Sequence, residues 1–224
     1  MWNETDRRAN AHRVCGKEGD GVLVERSGAV PRVDPGASVA PTAVVVGDVA
    51  IAHGCYLGHG VVIETGGPPV RLERDVVMAN TVIRSLGGKG RPEFPIHVGA
   101  RTLIGPQCAL AGCRLAEDCY VATAVRVFQG AEVGVASRLG AGSIVHVRTQ
   151  LPPGSRVGLR QMAVAGRDGS LITSDVGAAR EALASADFFG EVFGLGEKDQ
   201  EQLPRQAAAM LRAEALAWRD KPHP

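Results

Sequence analysis

Leu115-Ala-Glu-Asp-Cys-Tyr, Val121-Ala-Thr-Ala-Val-Arg, Val127-Phe-Gln-Gly-Ala-Glu, Val133-Gly-Val-Ala-Ser-Arg, Leu139-Gly-Ala-Gly-Ser-Ile and Val145-His-Val-Arg-Thr-Gln follow one another without a gap. Every hexad opens on an aliphatic residue. Gly or Ala usually comes next, and the fifth residue is usually small. An aliphatic residue every six positions cannot make one face of an ordinary helix. The period predicts a solenoid with one short strand per hexad, the aliphatic residue inside and small residues at the corners. Three hexads close one triangular coil. Stacked coils bury a continuous ladder of Val, Leu and Ile, and their backbones pair along the axis.

Outward from this stretch the pattern holds from Val33 to about Gly166, which predicts about six coils. Two insertions interrupt it. One is Thr65-Gly-Gly-Pro-Pro-Val-Arg, and the other is Leu86-Gly-Gly-Lys-Gly-Arg-Pro-Glu-Phe-Pro. Their Gly and Pro content marks exposed loops, and loops that leave a rigid prism are where function tends to sit. The expected organisation is a lead-in over 1–32 with one strand near Gly21-Val-Leu-Val-Glu, a β-helix over 33–169, and helices over 170–224. Ser174 is the expected cap of a helix over Asp175–Phe193. A second helix is expected at about 203–219, where Leu203, Ala207, Met210, Leu211 and Trp218 make an apolar stripe.

Composition agrees with a narrow prism. The 224 residues include 29 glycines, and aromatics are only 4%. Tight corners require glycine, and a thin core has little room for rings. The formal net charge is +1, spread along the chain, which argues against nucleic-acid and membrane partners. No apolar stretch reaches transmembrane length and the start lacks a signal-peptide core, so a soluble cytoplasmic protein is expected. The five cysteines, 15, 55, 108, 113 and 119, contain no CxxC pair. They read as free thiols, and Cys108 reads as inward-facing rather than nucleophilic.

Equivalent positions in successive coils stack. Hexads opening at Met78, Ile104, Val121 and Leu139 share one wall. Those opening at Ile63, Arg84, Leu110, Val127 and Val145 share the next. The residue after each opener points outward, giving the column Glu64, Ser85, Ala111, Phe128, His146, with about 4.8 Å between neighbours.

Val98-Gly-Ala-Arg-Thr-Leu-Ile-Gly-Pro-Gln-Cys-Ala-Leu-Ala-Gly-Cys resembles the "IG…IGH…LHGC" segment of the γ-class carbonic anhydrases, members of the hexapeptide-repeat superfamily. The five-residue step Leu110–Arg114 interrupts the count where that family interrupts it. Val157-Gly-Leu-Arg-Gln-Met-Ala-Val-Ala-Gly is similar to its closing coil. The resemblance covers about 33–193. It implies a left-handed β-helix, an exception to the right-handed crossover rule, and a homotrimer with metal between subunits. It also implies a zinc site, yet the family's three ligand histidines fall at Ser85 (give or take one place), Pro106 and Ala111. The arginine and aspartate of its "LRGD" fall at Glu64 and Gly66, and the glutamine and aspartate of its "IQDG" at Ala79 and Asn80. Proline and alanine cannot bind zinc, so no metal and no other cofactor is expected.

The polar residues left at the old site are therefore the candidates. Glu64 and Ser85 would be catalytic, a carboxylate beside a hydroxyl serving as base and donor. Asn80 and Gln107 of the next subunit, with Thr123 beside them, would bind a carboxylate or carbonyl. Arg84 stands where an aliphatic opener belongs. An unpaired buried guanidinium is very costly, so the strand has left the prism there and Arg84 is a candidate anion binder at the loop mouth, with Lys89 and Arg91 at the entrance. The expected function is metal-independent binding or turnover of a small carboxylate or acyl compound in the inter-subunit cleft. The alternatives are an inactive structural subunit, or an acyltransferase using His146 as base on an acyl-CoA ester.

Overall fold

The structure, a computed structural model, describes residues 14–15, 21–88, 90–166, 169–184, 186–195 and 202–219. The chain winds as a left-handed parallel β-helix of three walls. Wall one opens with Arg32–Val33, wall two with Ser38–Val39, and wall three takes Val44–Val46 in the first complete coil. Walls one and two are seven-stranded sheets, so the prism has seven coils rather than six. Wall three is longer. The lead-in strand Val22–Val24 pairs in parallel with Val44–Val46 beneath the first coil. At the other end Met162–Gly166 folds back antiparallel on Gly169–Thr173.

The hexads do what their spacing requires. On wall two, Leu57, Met78, Ile104, Val121 and Leu139 stack in register and are 0–1% exposed. On wall one, Ile51, Leu72, Val98, Leu115, Val133 and Leu151 stack likewise and are 0–5% exposed. Small polar residues such as Thr102, Ser137 and Thr149 point in at the corners, and most of these corner side chains return a hydrogen bond to a neighbouring carbonyl. Such bonds remove most of the cost of burying a hydroxyl. The buried cysteines Cys55, Cys108, Cys113 and Cys119 are free. Burial pushes all four thiols up, Cys113 to about 12, so none is a ready thiolate.

On wall three the register departs from six-residue counting at one place. The inward residue of the third rung is Ile83, paired with Ile63 and Leu110 and 0% exposed. Only five residues, not six, separate it from Met78. The corner is shortened by one, with Asn80 in the left-handed region at φ 44° and Thr81 fully buried in the corner. Arg84 is thus the outward residue and Ser85 the inward one, the reverse of the hexad count. The physical reason is that an isoleucine fits the core and an arginine does not. One residue of corner is lost more cheaply than a guanidinium is buried.

The 86–95 insertion is not an open loop. Val82–Gly88 runs out of the prism and returns antiparallel as Arg91–Phe94. Phe94 is 6% exposed, lying across Gly112 and Gly130 at the wall three–wall one edge. Lys89 is outside the described residues.

The expected helix over Asp175–Phe193 is two helices. Helix α1 (Val176–Ala182) is capped by Asp175 and not by Ser174: the Asp175 carboxylate accepts from Gly177 N–H and Ala178 N–H. Helix α2 (Phe188–Phe193) is capped by Asp187 and ends on Gly194 at φ 68°. It packs on the hairpin strand Arg91–Phe94, and Glu191 pairs with Arg148. Helix α3 (Leu203–Arg219) buries Leu203 and Ala207, as the stripe requires. The side chain of Trp218 is outside the described residues. No helix among the described residues is long and apolar enough to cross a membrane.

Candidate functional site

Wall three carries the outward column Val46, Glu64, Arg84, Ala111, set by the pairing of successive rungs. Phe128 and His146 continue it, their ring centroids 5.9 Å apart. The head of the column is an ionic cluster. Arg26 Nη1 donates to Glu64 Oε1 at 2.5 Å, and Arg84 Nε stands 3.5 Å from Glu64 Oε2. One carboxylate thus lies between two guanidiniums. The Arg26 side chain is only 16% exposed against 44% for Arg84, so Arg26 is the structural partner and Arg84 the accessible one. Glu64 leans towards Arg26. The Arg84 terminal nitrogens have no partner among the described residues.

Ser85 does not join this group. It is 0% exposed, its hydroxyl donates to the Pro68 carbonyl, and its Oγ accepts from Gly66 N–H at 3.1 Å. It ties down the first insertion. The Glu64–Ser85 pair read from hexad counting is therefore replaced by Glu64–Arg84.

Asn80 and Gln107 occupy successive corners between walls two and three. Both have left-handed backbones, φ 44° and 61°, and the Gln107 N–H donates to the Asn80 carbonyl at 2.7 Å. Their exposed side chains stand on the edge of the prism, not over Glu64 and Arg84. A single chain does not bring the two sets together. Thr42 and His59, hydrogen-bonded at 2.8 Å, continue the same edge.

The places matching the zinc ligands do not fit a metal. Ser85 is sealed beneath the surface, Arg84 beside it is a cation, and Pro106 and Ala111 carry no donor. Among the described residues no group of three His, Cys, Asp or Glu side chains converges on a point.

Sequence reading missed Arg26, whose partner lies 38 positions away. It also missed the surroundings of His146. This ring is half-buried, and its Nδ1, sealed from solvent, has no hydrogen-bond partner among the described residues. Burial lowers its pKa, with Glu191 acting weakly in the opposite direction. Two surface clefts, about 490 and 580 Å³, lie on wall one and along its edge with wall three. They share Arg114, Glu132 and Gln150 but contain neither Glu64 nor Arg84. Their walls mix acid and base without a convergent set. The wall-three cluster is the better candidate because its charge is arranged around one accessible cation.

The fold and the repeat define a left-handed β-helix of hexapeptide repeats. The chain is 29% identical over 99 residues to a mitochondrial γ carbonic anhydrase of Arabidopsis thaliana. That match takes in 42% of the chain and 37% of the plant protein. No protein-family model matches the chain. Among solved structures, a candidate acetyltransferase from Bacillus cereus overlays 86% of the chain and 94% of its own length, with a TM-score of 0.50 and 16% identity. A hexapeptide transferase family protein from Anaplasma phagocytophilum covers 89% and 98%, with a TM-score of 0.36 and 20% identity.

Proposed function

We propose that this protein is a γ-carbonic-anhydrase-like β-helix that has lost the zinc site and binds a small carboxylate or acyl compound at wall three, without a metal. Arg84 carries the reading. It is a half-exposed guanidinium whose terminal nitrogens have no partner among the described residues, held beside a Glu64 carboxylate that Arg26 keeps oriented. Guanidinium and carboxylate match in geometry and form short, charge-assisted hydrogen bonds. In a homotrimer arranged like the family's, Asn80 and Gln107 of the next subunit would face this cluster and close the cleft. Their amides would hold the far oxygen of the ligand. The partly exposed Gly105 on wall two, which carries no side chain, allows the close approach such an assembly needs.

Glu64 has a defined part in this arrangement. Its carboxylate lies beside Arg84 in the column, and the hydrogen bond from Arg26 holds it in place. If turnover exists, Glu64 takes the proton and Arg84 holds the negative charge of the substrate. The test is calorimetry with acetate and butyrate on the assembled protein, together with metal analysis. Arg84→Gln should weaken binding by about 1–3 kcal/mol, the range for a hydrogen bond to a charged group. Glu64→Gln should affect turnover more than binding. Carboxylate affinity unchanged in both variants, in a correctly assembled protein, would leave the scaffold reading standing. Stoichiometric zinc with CO₂ hydration would overturn the metal-free reading.

A second reading, acyl transfer, has one observation in its favour. His146 is half-buried, its Nδ1 is sealed from solvent with no hydrogen-bond partner among the described residues, and burial disfavours its charged form. A neutral imidazole can act as a general base through the ring nitrogen that faces the substrate, which here is Nε2 and not the sealed Nδ1. Loss of acyl-CoA consumption in His146→Ala, with Arg84→Gln still active, would select this reading over the first.

A further inference from the structure

We infer that the wall-three site selects its carboxylate by length, taking a short-chain monocarboxylate whose apolar body lies along the column from Arg84 over Ala111 to Phe128. This rests on the reading of Arg84 as the carboxylate anchor. The observation behind it is the order of side chains in one straight column, which the rung pairing fixes. Arg84 supplies charge. The next rung up offers only the methyl of Ala111, so the ligand's body meets no obstacle there. The rung after that presents the half-buried ring of Phe128, which closes the trough with an apolar wall. Phe94 bounds it on the side of Gly112 and Gly130.

A charged side chain, a gap and an aromatic ring in series form a ruler. Arg84 and Phe128 are two rungs apart, roughly 10 Å at strand spacing. A charge-assisted hydrogen bond at Arg84 takes up about 3 Å of that. The remaining length, roughly 7 Å, suits a body of about five carbons beyond the carboxylate. A shorter acid leaves the trough unfilled, and a longer one meets Phe128. Each methylene laid against Ala111 and Phe128 should improve affinity roughly fourfold, the ratio expected for one buried CH₂.

The experiment is calorimetric titration of the full-length assembled protein with acetate, butyrate, hexanoate and decanoate, and with hexanamide as the uncharged control. The expected result is affinity climbing from acetate to hexanoate, no further gain at decanoate, and weak binding of hexanamide. Ala111→Leu fills the gap, so hexanoate should bind no more tightly than acetate. Phe128→Ala removes the far wall, so decanoate should overtake hexanoate. Circular dichroism shows whether each variant keeps its fold, and either variant alone is enough. Acetate and hexanoate binding equally to the wild type would overturn the ruler while leaving the anchor reading in place. A gain with length that survives both substitutions would also overturn it, because the body would then lie elsewhere. Binding of none of the acids would overturn the anchor, and this inference with it.

Discussion

Gly112→Ala separates the seating of the hairpin from the stability of the prism. Gly112 sits at a wall three–wall one corner with φ 53°. A Cβ built there would come closer to the Phe94 Cβ than real side-chain atoms approach, while the Phe94 carbonyl oxygen lies 3.1 Å away. Two costs follow. The left-handed backbone costs a non-glycine residue about 1–2 kcal/mol. Phe94, 6% exposed, must also shift. Full truncation of a buried Phe costs about 3–5 kcal/mol, and a partial loss of its contacts is roughly a third of that. The sum is about 2–4 kcal/mol. Gly130→Ala is the control. Its φ is 69°, but its added Cβ would meet the flexible Arg148 Cγ at 3.2 Å, the Phe94 ring edge at 3.3 Å and the Arg148 Cα at an ordinary 3.7 Å, so it should cost about 1–2 kcal/mol, chiefly from the backbone. Urea unfolding at one fixed protein concentration measures both, because self-association would make the midpoint concentration-dependent. Hydrogen exchange over 82–94 should rise in Gly112→Ala and stay near wild type in Gly130→Ala. Equal destabilisation by the two substitutions, with unchanged exchange in the hairpin, would refute the placement of Phe94 against Gly112.

Other outcomes follow from the same geometry. Ile83→Ala should cost about 2–5 kcal/mol while Arg84→Ala stays within about 0.5 kcal/mol for a surface site; urea midpoints in the opposite order would return the rung to six-residue counting. Ser85→Ala should destabilise by about 1–3 kcal/mol by stranding the Pro68 carbonyl and part of the Gly66 N–H bonding, with carboxylate affinity unchanged in calorimetry. Burial lowers the His146 pKa below its unfolded value near 6.5, so the unfolded chain takes the proton first. The stability linked to His146 is complete above pH about 6.5 and is lost as pH falls below it. The drop in urea midpoint between pH 7 and 5 should therefore be smaller in His146→Phe than in wild type, and an equal or larger drop would exclude this linkage. Asp175→Ala should remove the α1 cap at a cost of about 1 kcal/mol, readable in the same unfolding assay, whereas Ser174→Ala should be close to neutral.

Much of the architecture is legible in the residues because the repeat is local. A valine, leucine or isoleucine every sixth place allows one arrangement that buries them all, and it determines the prism, its three walls and the inward face of nearly every rung. The absence of metal donors at Pro106 and Ala111 is legible for the same reason, since no packing can give those side chains a lone pair to bind with. Three matters were decided only in three dimensions. Whether the third rung of wall three buries Ile83 or Arg84 depends on a corner shortened by one residue. Counting cannot see this, because the choice is made by rungs above and below that demand an aliphatic between Ile63 and Leu110. That single slip sends Ser85 inside and brings Arg84 to Glu64. The partner of Glu64 comes from Arg26, in a segment without any repeat, and is fixed by chain path rather than periodicity. Phe94 folds back on Gly112 and Gly130 because those corners lack side chains, a complementarity that exists only once the coils are stacked. Periodic burial is a property of each hexad alone. Register at a break, ion pairs between distant segments and the seating of an insertion are properties of neighbouring coils, and the chain acquires them when it closes on itself.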